Sequence, residues 1–363
     1  MKRNVTILPR GFQIDFVMYI CLSLMDSLTQ IVLGAACGEA ILGKKIGNKA
    51  LLFGAIGGTI PDLDVFVGRL IYSNEIDIMA FHRGLMHSFL FTITGAFIFG
   101  WLTFKIYNSG KRVHVTNKKD WFWLFFASLF THSILDSFTP YGTQLFAPFS
   151  NYRVAFNTIA VADFAYTIPF LFCLIILMFY KRSHIRRKLW LRIGFAVSSF
   201  YIFLTIINKV YINSVYEQAL KAQNIPFTKF QTQPSILNNI LWYGIAETPD
   251  NYFVAFYSLL DKSSEILEWS KLPKNHKLVS QNNKDIKTLS WFSNGYFNLK
   301  NMNNGSLRYN DLRYPSFDIN NPSNSVFSFS IFKDEDRYNI LPFNGKAPST
   351  QDFSYFWERI KGR

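Results

Sequence analysis

The chain has 363 residues, a formal net charge of +14 and many aromatic residues, with 38 Phe, 18 Tyr and 8 Trp. Its high aromatic and low charged content favours a membrane protein over a soluble one. Residues 1–210 hold 21 of the 38 Lys and Arg but only 10 of the 24 Asp and Glu, whereas residues 211–363 are nearly balanced. Because the basic residues cluster in short loops between apolar stretches, they indicate membrane topology and no nucleic-acid partner.

Residues 1–24 allow two interpretations. Basic residues precede the apolar run Phe16–Leu24, a pattern that resembles a signal peptide, but no cleavage site with small residues follows. Met25 could equally be the true start of the protein. Beyond it, Leu28–Leu42 and Ala50–Ile60 are short and rich in Gly and Ala. Because small residues let helices approach closely in membranes, these two segments predict an antiparallel helix pair packed on a bundle.

Four longer apolar stretches then have nearly the length that a membrane helix needs, about 20 residues. They are Leu85–Phe104, Trp121–Leu135, Ile159–Tyr180 and Leu189–Ile207. Basic residues concentrate around residues 44–49, 105–119 and 181–188, which predicts that these loops are cytoplasmic. Loops 61–84 and 136–158, and everything after Ile207, are then expected on the outer side.

Residues 211–363 differ in pattern from the part before them. Asn-Gly turns alternate with aromatic segments such as Trp291–Leu299 and Val326–Phe332, which predicts short strands. The predicted fold is therefore mainly α, a polytopic membrane helical bundle followed by a smaller α+β or mostly β C-terminal domain. The predicted divisions are an N-terminal extension (1–24), a transmembrane domain (25–210) and an extracytoplasmic domain (211–363).

Histidines and aspartates gather at the predicted outer ends of these helices, where ionisable groups are costly and indicate function. The candidate metal ligands are Asp62, Asp64, His82, His87, His132 and Asp136. His132 and Asp136 are four residues apart and so share one helix face. Asp62 and Asp64 would point in opposite directions in an extended turn after Pro61, which leaves open whether both are ligands.

Imidazole and carboxylate ligands suit zinc, and also manganese or iron. A bound ion can lower the pKa of a coordinated water to about 7, which produces a nucleophile at neutral pH. Simpler interpretations remain: Asp62 could cap a helix, single histidines could lie at the membrane interface, and His132 could only hydrogen-bond to Asp136. The metal site is favoured because three histidines and three aspartates converge on one predicted face.

The loop after Asp136 is rich in Pro, Gly and aromatic residues, and we expect Thr139–Ser150 to cover the site. Arg153 just beyond it could hold an anionic group, because a guanidinium fits phosphate oxygens in a bidentate manner. The alternative is an interfacial anchor formed with Tyr152. His87 and Arg153 are the candidate catalytic residues, and Asp163 could be a further or supporting ligand. Glu39 falls at the predicted inner side and is excluded from the site.

Several of these motifs together resemble the YdjM/YbcI family of inner-membrane proteins, which are described as metal-dependent hydrolases. The resemblance covers residues 25–210 and favours Met25 as the start. The matching motifs are Met25-Asp26-Ser27-Leu28-Thr29-Gln30, Gly38-Glu39-Ala40, Pro61-Asp62-Leu63-Asp64, His82-Arg83-Gly84 with His87-Ser88, His132 with Leu135-Asp136, and Tyr141-Gly142-Thr143-Gln144-Leu145-Phe146.

That family is in turn distantly similar to zinc-dependent phospholipase C and P1-type nucleases, whose His-x-x-x-Asp motif is matched by His132 and Asp136. A second motif of that kind is missing from this chain. The resemblance implies a membrane-bound metal-dependent hydrolase of a phosphoester or lipid-linked substrate. Its expected surroundings are the lipid bilayer of the bacterial inner membrane.

Two alternatives belong to other functional classes. The polar cluster could be a structural metal site or hydrogen-bond network in a non-catalytic protein whose C-terminal domain binds a partner. A transporter is disfavoured because the cluster lies at one face of the membrane rather than at its midplane.

Overall fold

The computed structural model describes residues 10–363 except 264, 267, 304, 320–326 and 343–348. The first nine residues of the predicted N-terminal extension, and Val326 of a predicted strand, therefore lie outside the described residues. The chain is helical as far as Ala222, and two sheets follow. The helices of the first part are α1 (Arg10–Ile46), α2 (Asn48–Thr59), α3 (Asp64–Ile71), α4 (Glu75–Phe81), α5 (Phe89–Tyr107), α6 (Lys118–Ser137), α7 (Phe164–Met178) and α8 (Ile185–Ala222).

Helices α1 and α2 form a closely packed antiparallel pair. Gly47, with a φ of +62°, reverses the chain between them. A Cβ atom on Gly38 would lie 2.1 Å from the Ala50 carbonyl oxygen, and one on Gly54 would lie 2.2 Å from the Gly34 carbonyl oxygen. Backbone contact of this kind requires glycine, as the sequence predicts for this pair. Because these contacts lie near both ends of α2, helix α2 packs against α1 along most of its length.

Capping residues set the ends of the longer helices. Asn117 and Asp120 form a capping box at the start of α6. Ser88 caps α5 through the Phe91 amide, so that α5 begins four residues later than predicted. Asp163 caps α7 by accepting from the amides of Ala165 and Tyr166, and the residues before it are not helical.

Among the described residues, two helices are long and apolar enough to cross a membrane, α5 and α8. A third candidate is α2 together with Pro61–Ile71, bent by 42° at the break between them. Large apolar side chains on α5 and α8 face outward, with Phe97 62% exposed and Phe200 60% exposed. Such surfaces are suited to lipid rather than water. Helix α7 is apolar but has only 15 residues.

The described residues of the C-terminal part form two four-stranded antiparallel sheets and two α-helices, which agrees with the α+β form of the prediction. The first sheet has the order β1 (Lys229–Pro234), β2 (Leu241–Glu247), β3 (Asn251–Ser258) and β4 (Ser270–Pro273). The second has the order β5 (Phe297–Asn301), β6 (Leu307–Asp311), β7 (Ser328–Asp334) and β8 (Arg337–Pro342). Helix α9 (Lys284–Phe292) precedes β5, and α10 (Thr350–Lys361) ends the chain.

The segment predicted as one strand from Trp291 to Leu299 is divided between α9 and β5. Asn283 caps α9 through the amides of Asp285 and Ile286, and Asn294 and Gly295 both have positive φ angles. The chain therefore turns between Trp291 and Phe297 instead of running straight. This turn places the end of α9 next to the loop that follows α6.

The helical part and the sheets are in direct contact. The last turns of α8 pack on the first sheet, where Ile212 and Tyr216 lie in one buried cluster with Trp242. Further along, Phe292 contacts the ring of Tyr141 with centroids 5.2 Å apart. The Trp291 indole also donates to the Asn151 carbonyl. The C-terminal part thus covers the loop after α6.

Candidate metal centre

Four side chains from three separate segments converge at one end of the helical part. Asp62 lies in a short 3-10 turn after α2, His87 ends a 3-10 turn before α5, and His132 and Asp136 lie in the last turns of α6. Each offers one ligand atom, and these atoms all lie within 4.8 Å of one another. His87, His132 and Asp136 are buried, whereas the Asp62 side chain is 21% exposed. The centre is therefore open to its surroundings on the Asp62 side.

The distances between the ligand atoms match those expected around a shared cation. Nε2 of His87 lies 3.5 Å from Asp62 Oδ1 and 3.3 Å from Asp136 Oδ2. Nε2 of His132 lies 3.5 Å from each of the same two oxygens. Tetrahedral ligands at about 2.0–2.1 Å from a zinc ion would be roughly 3.3 Å apart. The residues present therefore fit a small divalent cation.

Both imidazole rings are held from behind. Nδ1 of His132 donates to the Gly58 carbonyl oxygen at 2.7 Å. Nδ1 of His87 lies 3.2 Å from Asp64 Oδ2, which is within ion-pair distance but without hydrogen-bond geometry. A ring that is protonated at Nδ1 presents a free lone pair at Nε2, the atom that faces the other ligands. Metal-binding histidines are oriented in this way by carbonyl or carboxylate partners.

Asp64 and His82 lie beside this group rather than inside it. Asp64 Oδ1 is 2.7 Å from His82 Nδ1, and Asp64 Oδ2 accepts from the Arg83 amide at 2.9 Å. Asp64 is fully buried, and helix α3 begins with it directly after the 3-10 turn. The turn therefore separates the two aspartates, so that Asp62 faces the ligand group and Asp64 faces the back of His87.

The Nε2 atoms of His87 and His132 are buried and have no hydrogen-bond partner within the described part of the chain. Buried polar atoms are nearly always hydrogen-bonded in native proteins, so two such atoms 4.8 Å or less apart require an explanation. A cation between them would supply the missing partner.

Two supporting residues have no role in the sequence analysis. Gln30 Nε2 donates to Asp136 Oδ1 at 2.6 Å, and Arg83 Nε lies 3.2 Å from Asp136 Oδ2. Arg83 also donates to the Thr139 hydroxyl, and only 2% of its side chain is exposed. Both residues lie within the motifs that carry the family resemblance, which is the one sequence signal that could have identified them.

Arg153 contacts the ring of Tyr141, which also contacts Arg83 and His82, but no contact joins it to the four ligands among the described residues. Its guanidinium stacks on the rings of Tyr141, Trp291 and Phe292, with centroid distances from 4.9 to 5.1 Å. Nη2 donates to the carbonyls of Tyr141 and Gly142, whereas Nε and Nη1 are buried without a hydrogen-bond partner among the described residues. Burial lowers the pKa of Arg153 to about 10, which keeps it charged at neutral pH.

Two other acidic residues considered in the sequence analysis lie outside the group. Asp163 caps α7 and accepts a hydrogen bond from the Tyr201 hydroxyl at 2.8 Å. Glu39 forms a buried ion pair with Arg187, at 2.6 Å from its Nε. Because Glu39 lies beside the start of α2 and the centre lies beyond the end of α2, the pair is at the opposite end of that helix.

Comparison with known proteins gives a family for the helical part. The family model described as YdjM inner membrane protein matches residues 25–212. The uncharacterized protein YfhP of Bacillus subtilis (strain 168) is 29% identical over 155 residues, which cover 41% of this chain and 43% of that protein. The chain thus matches less than half the length of this relative. No solved structure matches the chain, and the comparisons do not show the more distant likeness to phospholipase C and P1 nuclease.

The family match ends where α8 enters the C-terminal part, and it includes all four residues of the candidate metal centre. It covers more than half of the chain. The chain therefore belongs to the YdjM inner membrane protein family.

Proposed function

We propose that this protein is a membrane-bound metal-dependent hydrolase of a phosphoester or lipid-linked substrate, with water as the nucleophile. Asp62, His87, His132 and Asp136 are the proposed ligands, and zinc is the preferred ion, with manganese or iron as alternatives. The observation that carries the proposal is the pair of buried imidazole Nε2 atoms that face two carboxylates and lack any other partner.

The remaining site residues support this set. Asp64 and His82 orient His87 from behind, and Gln30 and Arg83 hold the two oxygens of Asp136. We assign His87 to the ligand role, because Asp64 faces its Nδ1 and the other ligands face its Nε2. A bound divalent cation would lower the pKa of coordinated water and polarise the bond to be cleaved.

Arg153 is proposed to attract the anionic group of the substrate. Its Nε and Nη1 atoms have no partner among the described residues, and its ring neighbour Tyr141 also contacts His82, with centroids 5.3 Å apart. A guanidinium with two unpartnered donor nitrogens is suited to phosphate oxygens. The C-terminal part contributes two of the rings that pack on the Arg153 guanidinium, those of Trp291 and Phe292.

The proposed topology is multi-pass, with the centre and the C-terminal part on the outer, periplasmic side. It rests on the distribution of Lys and Arg among the loops. Large apolar side chains in the segments that follow Asp62 and Asp136 are strongly exposed, among them Leu70 at 87% and Phe149 at 85%. Such residues suit the membrane interface, where a lipid-borne phosphoester could reach the open side of the centre at Asp62.

The test is metal analysis of the detergent-purified protein together with a panel of phosphoester substrates. We expect about one or more equivalents of a transition metal, and hydrolysis of at least one ester. His132→Ala should lose metal and activity together, because it removes a ligand atom at the middle of the group. His114→Asn is the matched control, since His114 is exposed in a loop with a positive φ that Asn tolerates. Full metal content in His132→Ala would contradict the proposal.

The alternative is a structural cation in a non-catalytic protein whose C-terminal part binds a partner. It is favoured by the burial of three of the four ligands, because closed sites are typical of structural metals. A chelator separates the two possibilities. A structural cation predicts a lower unfolding temperature after chelation and no turnover before it, whereas an enzyme loses a measurable activity that added metal restores.

A further inference from the structure

A second polar site lies at the opposite end of α2 from the metal centre. There the turn between α1 and α2 faces the turn between α7 and α8, and a cavity of about 530 Å³ opens between them. The volume is within the range of small-ligand sites, roughly 300–1,000 Å³. Its lining consists of Ile46, Gly47, Asn48, Lys49, Tyr180, Lys181, Arg182, Ser183 and Arg187.

The lining is strongly basic. Lys49, Lys181 and Arg182 are exposed, and none of them forms an ion pair with another described residue. Arg187 is the exception, because its charge is balanced by Glu39. No acidic residue lines the cavity. Three basic residues therefore line one space without a counter-ion from the described part of the protein, and Nζ of Lys49 also lies 5.9 Å from the centroid of the Tyr107 ring.

Hydrogen bonds between the two turns hold this space open. Asn48 Nδ2 donates to the Met178 carbonyl at 3.1 Å, and Arg187 Nη1 donates to Asn48 Oδ1 at 2.7 Å. Arg182 Nη1 donates to the Lys45 carbonyl. These bonds connect residues 130 to 139 positions apart in the chain. The cavity is thus fixed by the fold before any ligand arrives, which reduces the ordering cost of binding.

The start of α2 adds a further favourable element. Helix α2 has 12 residues and begins at the cavity, and no side chain caps its first turn, because Gly47 precedes it. The first amides of a helix carry a partial positive charge and favour anions. The basic side chains and the start of α2 therefore all favour an anionic ligand in this space.

We propose that this cavity binds the phosphate group of an anionic ligand, and that in the membrane this ligand is a phospholipid headgroup. The cavity lies at the start of α8, a candidate membrane span, and the neighbouring Phe179 and Ile185 are 85% and 75% exposed. Apolar side chains beside a basic cavity suit a lipid, whose chains would lie along the helices while its phosphate occupies the cavity. The site is independent of the proposed hydrolysis.

The simpler explanation is that these residues only set the membrane topology. It predicts that neutralising basic residues in any loop on this side has the same effect on binding of an anionic lipid. The proposal predicts that only the residues lining the cavity affect this binding. The chain offers a matched control, because Lys111 in the loop between α5 and α6 and Lys118 at the start of α6 are exposed and form no ion pair among the described residues.

The experiment compares Lys49→Gln/Lys181→Gln with Lys111→Gln/Lys118→Gln in the full-length protein in neutral detergent. Phosphatidylglycerol is titrated in mixed micelles against phosphatidylcholine, and binding is followed by the rise in unfolding temperature. A basic residue contributes about 1 kcal/mol to binding an anionic membrane surface, or roughly fivefold in affinity. We therefore expect the first variant to bind phosphatidylglycerol about 25-fold more weakly and the control to bind it nearly as the unchanged protein does.

Inorganic phosphate provides the second arm. If the anion site binds soluble phosphate instead of a lipid, millimolar phosphate alone should stabilise the protein and displace phosphatidylglycerol. Only the cavity variant should then lose both effects. Equal phosphatidylglycerol binding by both variants would overturn the proposal. If the double variant is poorly folded, Lys181→Gln alone serves, because the Lys181 side chain makes no hydrogen bond among the described residues.

Discussion

Two buried charge clusters of the described helical residues lie at opposite ends of α2, and they differ in how well their atoms are paired. At one end, Glu39 accepts from Nε and Nη2 of Arg187 at 2.6 and 2.5 Å, and Arg187 Nη1 reaches the Asn48 side chain and two carbonyls. At the other end, His87 and His132 keep Nε2 atoms without a hydrogen-bond partner in the described chain. Burial of charge is common to both, so burial alone does not indicate a functional site.

Pairing is what separates the two clusters. A bidentate Arg–carboxylate pair satisfies both partners and needs nothing else. In a group of two imidazoles and two carboxylates whose ligand atoms lie close together, the imidazole Nε2 atoms lack a partner unless a cation binds between them. The first cluster is therefore interpreted as structural and the second as a ligand site, and the following changes test that distinction.

The largest effect on stability is expected from Glu39→Ala. It leaves the Arg187 guanidinium buried without its carboxylate, which should cost about 3–5 kcal/mol in the free energy of unfolding. Metal content per folded protein should not change, because Glu39 lies far from the ligand atoms along α2. Thermal unfolding and metal analysis of the same preparation measure both quantities.

Glu217→Ala is the control for that change. Glu217 pairs with Lys221 on the exposed surface of α8, and such pairs contribute about 0–1 kcal/mol. A Glu39→Ala protein that unfolds like the control, or that loses its metal while folded, would remove the distinction between the two clusters.

The next effect concerns metal affinity and is expected from Asp64→Asn. Asp64 is not a proposed ligand, but it faces Nδ1 of His87, and loss of such a partner typically weakens metal binding about 10- to 100-fold. Asn can still accept from the Arg83 amide, so the local fold should persist. A competition titration with a chelating dye gives the affinity.

Asp77→Asn serves as the comparison, because Asp77 pairs with Arg337 in the C-terminal part and has no contact with the centre. If both asparagine variants bind metal as tightly as the unchanged protein, the orienting role of Asp64 is wrong.

A third change should affect both clusters together. Gly38→Ala would push α1 away from α2, since its Cβ would lie 2.1 Å from the Ala50 carbonyl oxygen. Overpacking of this kind costs about 1–3 kcal/mol. Because Gln30 and Glu39 both lie on α1, metal affinity and stability should fall in the same variant.

Gly95→Ala on α5 is the matched helix change. The nearest atoms to its Cβ belong only to side chains, the closest at 3.2 Å, and alanine is the better helix former. It should be neutral or stabilising with unchanged metal binding. A Gly38→Ala protein that behaves in the same way would show that the two clusters do not depend on close α1–α2 packing.

The sequence predicts the helices better than it predicts the details of the site. Apolar length is enough to locate α5 to α8, but their starts depend on single caps such as Ser88 and Asp163, which apolar patterns do not show. The spacing of His132 and Asp136 predicts a shared helix face. The separate directions of Asp62 and Asp64 depend on a 3-10 turn that the sequence does not specify.

Contacts between distant parts of the chain were the least predictable. Arg153 is held by rings that lie about 140 residues further along, and Gln30 reaches Asp136 across 106 positions. Neither contact leaves a periodic pattern in the sequence. The turns of the C-terminal part therefore predicted short strands in an α+β or mostly β domain, while its contact with the loop after α6 could not be predicted.

The smallest expected effect concerns an ion pair in the C-terminal part, outside the candidate membrane spans. Asp261 and Arg359 are 3.0 Å apart. Burial raises the pKa of Asp261, but the hydrogen bonds from Arg359 outweigh it and hold this pKa below its ordinary value. The folded carboxyl therefore binds a proton more weakly than the unfolded one. Its stabilising contribution is fully present well above pH 4 and is lost as the pH falls through the folded pKa.

Asp261→Asn should lower the stability by about 1 kcal/mol at pH 7, and the difference from the unchanged protein should shrink as the pH falls from 5 to 3. Unfolding of the full-length protein in denaturant at a series of pH values measures this difference. Parallel stability curves for the two proteins would show that Asp261 gains nothing from Arg359.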